Sequence, residues 1–301
     1  MTHNPALEKL GISPEDRVAV LHVDDVGMCG ASLAAFDDLW TGSAVTCGSV
    51  MVPCPWFRAT AEWARSHPDA DLGVHATLTS EWPGYRWGPV STRDRASGLM
   101  DAEGFFPKTS PEIMANVIPE AAKTELSRQV EMAIEAGIRA THFDTHMGSV
   151  MDAWLYPAFL DVARRYGLAP FALRLSEEQW RRAGYAEETV EVLTRKTGEL
   201  ARDGIPVLDR IHQLSLKDED DRTAKTKSMI DNIRPGQIGY VVFHPAHDTP
   251  ELRAICPDWR SRVADYEMLV SGEIRGHVEK QGIHLIGMRA LQEAMQRELA
   301  G

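Results

Sequence analysis

Apolar runs of strand length recur along the chain, each followed by a longer stretch in which apolar residues return every three or four positions. The runs are Val18 to Val23, Val45 to Val52, Asp71 to Leu78, Ala140 to His146 and Ile238 to Phe243, with shorter ones at Phe171 to Leu175, Pro206 to Ile211 and His284 to Ile286. Helical spacing marks Ser32 to Leu39, Phe57 to Ser66, Pro111 to Ala136, Trp154 to Tyr166, Glu177 to Asp203, Trp259 to Lys280 and Leu291 to Leu299. Seven or eight strand–helix units predict parallel strands joined by crossover helices. The expected fold is therefore α/β: a single-domain (β/α) barrel of TIM type, complete or incomplete, with an open doubly wound sheet as the alternative. No Gly/Ser or Pro linker, charge block or internal repeat divides residues 1–301.

One segment breaks the rhythm. Residues 79–110 are too long for an ordinary connection, and loops of that size are commonly functional. They carry Trp82, Tyr85, Trp87, Phe105 and Phe106 among glycines and prolines. These aromatics predict either a lid over a site at the strand ends, stacking on a substrate ring, or a satellite core that pins the loop.

The 301 residues, 44% of them hydrophobic, suffice to bury a large core without disulfides. With 32 basic and 44 acidic residues the net charge is -12, which disfavours nucleic acid and anionic membrane as partners. Cys29, Cys47, Cys54 and Cys256 form no Cys-x-x-Cys pair, so neither a thiolate zinc site nor a redox motif is indicated. The first sixteen residues lack the apolar core of a signal peptide, and no run approaches the roughly 20 residues of a membrane span. A cytoplasmic protein without membrane insertion is expected, with a homodimer as the default assembly for a soluble enzyme.

In parallel α/β folds the active site lies at the carboxyl ends of the strands. Four predicted strands end in ligand-type residues: Asp24-Asp25, His75, His142-x-Asp144-x-His146 and His244. Two anions at the end of a buried strand have no packing reason to exist, since unpaired charge out of water is expensive. Delivered to one rim, these groups match a divalent-metal site of oxygen and imidazole ligands. His142 and His146 stand about 13 Å apart on a continuous strand, so both cannot hold one ion. His146 is the better ligand; His142 should lie deeper, and Asp144 is placed to orient a ligating imidazole. Alternation also separates Asp24 from Asp25 unless the strand bends at the rim, which Gly27 permits.

At these residues the chain resembles the YdjC-like carbohydrate deacetylases, a group that includes chitooligosaccharide and hopanoid-pathway deacetylases. Three blocks carry the likeness: His22-Val23-Asp24-Asp25-Val26-Gly27-Met28, Gly73-Val74-His75-Ala76-Thr77-Leu78-Thr79 and Thr141-His142-Phe143-Asp144-Thr145-His146. Weaker matches are Thr46 to Val52, Asp101 to Phe106 and His244-Pro245. The resemblance implies a (β/α) barrel, one divalent metal ion (Mg2+ or Zn2+) held by Asp25, His75 and His146, and Asp24 as the proton-handling carboxylate. It departs at His22, where the family usually has Asn, and at Met147-Gly148-Ser149, which replaces a histidine-rich continuation.

The activity so implied is hydrolytic removal of an N-acetyl group from an amino sugar or oligosaccharide. Asp24 takes the proton of the attacking water, while His244, or His247 in its place, protonates the leaving amine or steadies the oxyanion. Trp82, Tyr85 and Trp87, with His142 and Asp144, are the candidates to surround the substrate or the ligands. Two other readings keep the same rim: a metal-dependent sugar isomerase or epimerase, and a non-catalytic carbohydrate-binding protein. Arg260, Arg262 and Asp265 either reach the rim or face water.

Overall fold

The structure, a computed structural model, describes residues 3–300. Seven parallel strands lie in the order β5-β4-β3-β2-β1-β7-β6. They are β1 (Val18–Val26), β2 (Cys47–Val50), β3 (Leu72–Ala76), β4 (His142–Thr145), β5 (Ala169–Pro170), β6 (Arg210–Gln213) and β7 (Ile238–Phe243). An eighth, β8 (His284–Leu285), pairs with Val18 and Ala19 of β1, on the edge that β2 occupies from His22 onward. The sheet is curled, and its two outer strands are linked just beyond β5 and before β6 by one parallel bridge between Leu173 and Leu208. The fold is thus α/β with a barrel-like parallel sheet of seven main strands.

The helices are α1 (Ala6–Lys9), α2 (Gly30–Thr41), α3 (Phe57–Ser66), α4 (Ser110–Asn116), α5 (Pro119–Glu135), α6 (Leu155–Arg165), α7 (Glu177–Arg182), α8 (Glu187–Arg202), α9 (Arg222–Asp231), α10 (Pro250–Ile255), α11 (Trp259–Val270), α12 (Glu273–Lys280) and α13 (Met288–Ala300). Each of the three longest predicted helices is in fact two. Pro119 opens α5 at its first helical position, and Ile118 before it is extended, as the residue preceding a proline prefers. The second breaks between α7 and α8, and Gly272, at φ 76°, separates α11 from α12 in a left-handed conformation that disfavours other residues. The predicted strand Phe171 to Leu175 is displaced as well: ladder pairing to β4 ends at Pro170, and only Leu173 makes a further bridge.

β1 is the centre of the molecule. Val18, Ala19, Val20, Leu21, Val23 and Val26 are all buried in one hydrophobic cluster with strands and helices on both sides. A central strand whose two faces are both covered has no solvated side on which to place polar residues. His22, Asp24 and Asp25 must therefore find partners inside the protein. All four cysteines are buried and free. Among the described residues no helix is long and apolar enough to cross a membrane.

Candidate active site

Pairing of β1 with β2 shifts register between Val23 and Val26, and Asp25 itself takes φ 60°. The bend that turns both carboxylates to one rim thus falls on the aspartate as well as on Gly27, at φ 79°. Non-glycine residues in that region cost on the order of 1–3 kcal/mol and cluster at functional sites. His146 comes close because β4 stops at Thr145 and the chain enters a single 3-10 turn, with Met147 at φ 54°.

Three side chains then meet. Asp25 Oδ1 lies 3.2 Å from His146 Nδ1 and 3.5 Å from His75 Nε2. Neither contact has hydrogen-bond geometry, so Asp25 Oδ1 is a buried acceptor without a donor. Ligands about 2.1 Å from one tetrahedral cation stand about 3.4 Å apart, which these separations match. His75 is oriented as a ligating imidazole would be, since its Nδ1 donates to Asp144 Oδ1 at 2.8 Å and leaves Nε2 turned towards Asp25. The residues present therefore fit a divalent cation.

Electrostatics agree with that fit. Burial alone would raise the Asp25 carboxyl, but the Arg262 guanidinium and the facing imidazoles of His146 and His75 hold it well below the usual range. Burial opposes charge on His146, yet Glu81 and Asp25 push its imidazole up to about 9. His75 is likewise raised, against burial, by Asp144 and Asp24. The pocket favours positive charge between its carboxylates, proton and metal ion alike.

Asp24 stands outside the triad. Its Oδ1 is 3.0 Å from His22 Nε2, and its Oδ2 is 3.6 Å from His244 Nε2 and 3.8 Å from His75 Nε2. Its side chain keeps 14% exposure, against 3% for Asp25, and both line a cavity of about 610 Å³. His22 is fully buried, with Asp144 Oδ2 also at 3.0 Å and Cys47 Sγ at 3.1 Å from Nδ1. Burial opposes its charge, but Cys47, Asp144 and Asp24 together raise it well above the usual imidazole range. His142 lies deeper, outside the cavity, with Nδ1 2.8 Å from Thr141 Oγ1 and Nε2 unpartnered.

His244 lines the cavity, its backbone N–H donating to Asp265 Oδ2 at 3.0 Å; burial pushes its imidazole down. His247 is turned away, with Nε2 2.9 Å from Asp38 Oδ2. Of the loop aromatics, Trp82 lines the cavity, whereas Tyr85 donates to Met28 O and Trp87 Nε1 to Thr79 O, away from it. Arg262 does reach the rim: it is buried, donates to Asp25 Oδ2 at 2.8 Å and Asp258 Oδ1 at 2.9 Å, and sits 5.4 Å from the centre of the Trp82 ring.

The sequence reasoning missed Glu81, whose Oε2 is 3.1 Å from His146 Nε2, and Tyr240, whose hydroxyl donates to Asp144 Oδ2 at 3.3 Å. Glu81 had a signal, as an acid set between Ser80 and Trp82 directly after the His75 block. Tyr240 had none, being one more apolar-looking position in β7.

Comparison with known proteins places this site in context. A carbohydrate deacetylase from Thermus thermophilus is 32% identical over 291 residues, covering 96% of this chain and 98% of its own. Carbohydrate deacetylase 1 from Listeria innocua is 22% identical over 276 residues, covering 90% and 99%. A crystal structure from Enterococcus faecalis V583, described as a cellobiose-phosphate cleavage protein, superposes with a TM-score of 0.75 at 24% identity, over 92% of this chain and 99% of that one. The model of the YdjC-like protein family matches residues 18–280. With most of its length so matched, the chain belongs to the YdjC-like protein family.

Proposed function

We propose that the protein is a metal-dependent hydrolase that removes an N-acetyl group from an amino sugar. One observation carries the proposal: Asp25 Oδ1, a buried oxygen that no hydrogen bond satisfies, lies with His75 and His146 within reach of one ion, while adjacent Asp24 faces the cavity. The relatives named as carbohydrate deacetylases support a sugar amide as substrate. One carboxylate with two imidazoles suits zinc and also admits magnesium. We read residues 1–301 as one catalytic unit, a seven-stranded variant of the (β/α) barrel, with segment 79–110 beside the site.

When bound, the cation polarises the acetyl carbonyl and makes a nearby water more acidic. Asp24 accepts the proton as that water adds to the acetyl carbon, with His22 Nε2 holding the carboxylate's other oxygen. The C–N bond then breaks, and the proton on Asp24 passes to the departing amine, giving acetate and the free amino sugar. Because burial pushes the His244 imidazole down, it suits hydrogen-bond donation to the oxyanion better than delivery of a proton. Arg262 ties down Asp25 Oδ2 and so leaves Oδ1 as the ligand atom.

Mass-spectrometric screening of N-acetylated sugars, with Mg2+ or Zn2+ supplied, is expected to show loss of one acetyl group. Asp24→Asn should lower kcat by about 10²–10⁴ while metal content stays at the wild-type level. Near-normal turnover in that variant overturns the role given to Asp24.

A further inference from the structure

Below the strand-end site a second group of donors converges inside the curled sheet. His22 of β1, Cys47 of β2 and His142 of β4 are each fully buried, and one ligand atom from each lies within 4.8 Å of the other two. His22 and Cys47 are register partners, with His22 Nδ1 3.1 Å from Cys47 Sγ. The His142 ring lies across β3 at Gly73, where a Cβ would stand 2.5 Å from its Nε2. None of the three lines the strand-end cavity.

Both imidazoles are oriented from behind. His22 Nε2 faces Asp24 Oδ1 and Asp144 Oδ2, each at 3.0 Å, which leaves Nδ1 for the cluster. His142 Nδ1 is 2.8 Å from Thr141 Oγ1, whose own hydroxyl donates to Asp71 Oδ1. Nδ1 therefore carries the hydrogen, and Nε2 is a buried acceptor without a partner. Imidazoles that hold metal ions are fixed in this way, one nitrogen bonded and the other free. Burial raises the Cys47 thiol, with His22 and the Met288 backbone N–H acting against it; a coordinated cation displaces that proton outright.

Nitrogen donors about 2.0 Å and sulfur about 2.3 Å from one ion stand roughly 3.4–3.7 Å apart, so a shift of about 1 Å closes the cluster. Three donors fall short of the four ligands of a closed zinc site, whereas one thiolate with two imidazoles suits soft Cu+. Cu+ set against one thiolate also adds no net charge to the interior. We propose that His22, Cys47 and His142 form a second metal site, structural and not hydrolytic, which takes Cu+ as the chain folds and ties β1, β2 and β4 together. The site does not depend on the deacetylase reading. Asp144 lies between the two clusters, with Oδ1 on His75 and Oδ2 on His22. In the copper-free chain His142 stays neutral, its imidazole pushed down by burial.

The test uses the whole chain, produced with copper in the medium and dialysed against EDTA. Wild type is expected to keep about one copper per chain, because the ion is enclosed on folding, and to withhold it from the Cu+ chelator bicinchoninate without oxygen. X-ray absorption at the copper edge should show one sulfur and two imidazole nitrogens. Asp25→Ala, which disables the strand-end cluster, should keep the copper. Removing a partner behind a ligand costs about 10–100-fold in metal affinity, so Cys47→Ser and His142→Gln, which remove ligands, should each cost on the order of 100-fold or more. Circular dichroism of the copper-free variants separates a lost site from a lost fold; should Cys47→Ser not fold, His142→Gln and the absorption spectrum decide. Copper absent from dialysed wild type, a copper shell without sulfur, or retention unchanged in the folded variants overturns the site. Zn2+ found in the same sulfur-and-nitrogen shell supports the site and overturns the choice of Cu+.

Discussion

At the scale of single residues the site is a problem in buried charge. Arg262 and Asp25 are each almost fully buried, and Asp258 shares the same guanidinium. Breaking a buried pair by removing one partner typically costs about 3–5 kcal/mol. Arg262→Met should lose stability of that order in urea unfolding, with part of it restored by added divalent cation, which replaces the missing positive charge. His142 makes a different prediction. Burial, followed by the charge on His22, pushes its imidazole down to about 3, whereas an unfolded histidine titrates near 6.5. Between those values only the unfolded chain takes the proton, so stability present above about pH 6.5 is lost as pH falls, by about 1.4 kcal/mol per unit. His142→Gln should flatten this limb, the difference from wild type reaching about 2 kcal/mol at pH 5 in denaturant titrations. Asp24, Asp25, His75 and His146 were legible because strand ends advertise polar residues that packing does not require. Arg262 was not: it comes from α11, 237 positions away, and nothing in a helical pattern tells a buried arginine from a solvated one.

At the scale of elements β1 to β4 and β7 were legible, whereas β5 and β6 lie a few residues from the expected runs and the breaks between helices left no signal. Apolar periodicity continues across Pro119 and Gly272, because both halves of each broken helix still turn a buried face to the same core. The segment from Thr79 onwards is organised by fixed contacts instead. Arg86 bonds Asp101, Glu103 and the Phe106 carbonyl, and the Glu125 carboxylate accepts from the N–H groups of Val90 and Ser91. Gly98 closes a second 3-10 turn, Arg95–Ser97, at φ 70°, and a Cβ there would stand 1.9 Å from the Asn116 carbonyl oxygen. Gly98→Ala should therefore destabilise by roughly 2–4 kcal/mol in thermal or urea melts, since strain and overpacking fall together. Trp82 and Glu81 leave the same segment to meet Arg262 and His146, so the substitution should also weaken metal retention on dialysis.

At the scale of the whole molecule, folding and cation binding are linked through β1. A ligand that binds only the native state stabilises it by about 2.7 kcal/mol at a hundredfold excess over Kd. Differential scanning calorimetry should show Tm rising by several degrees with Zn2+ or Mg2+, falling with a chelator, and insensitive to both in Asp25→Ala. No rise in the wild type would argue that the Asp25, His75 and His146 cluster is an ion-pair network without a cation. A barrel-like parallel fold followed from counting strand–helix units, but the place of β8 did not. Two residues pairing below β2 leave no periodic signature.

The central position of β1 also constrains biosynthesis. β1 leaves the ribosome well before β7 and β8, which flank it, and Arg262, which neutralises Asp25 and follows it by 237 positions. At typical elongation rates of about 5–20 residues per second the nascent chain carries these carboxylates for on the order of 10–50 s before their counter-charge exists. The interior around β1 is therefore sealed only once β7 and α11 have been made, and ribosome-stalled chains ending before α11 should be digested readily by protease while the released protein resists it.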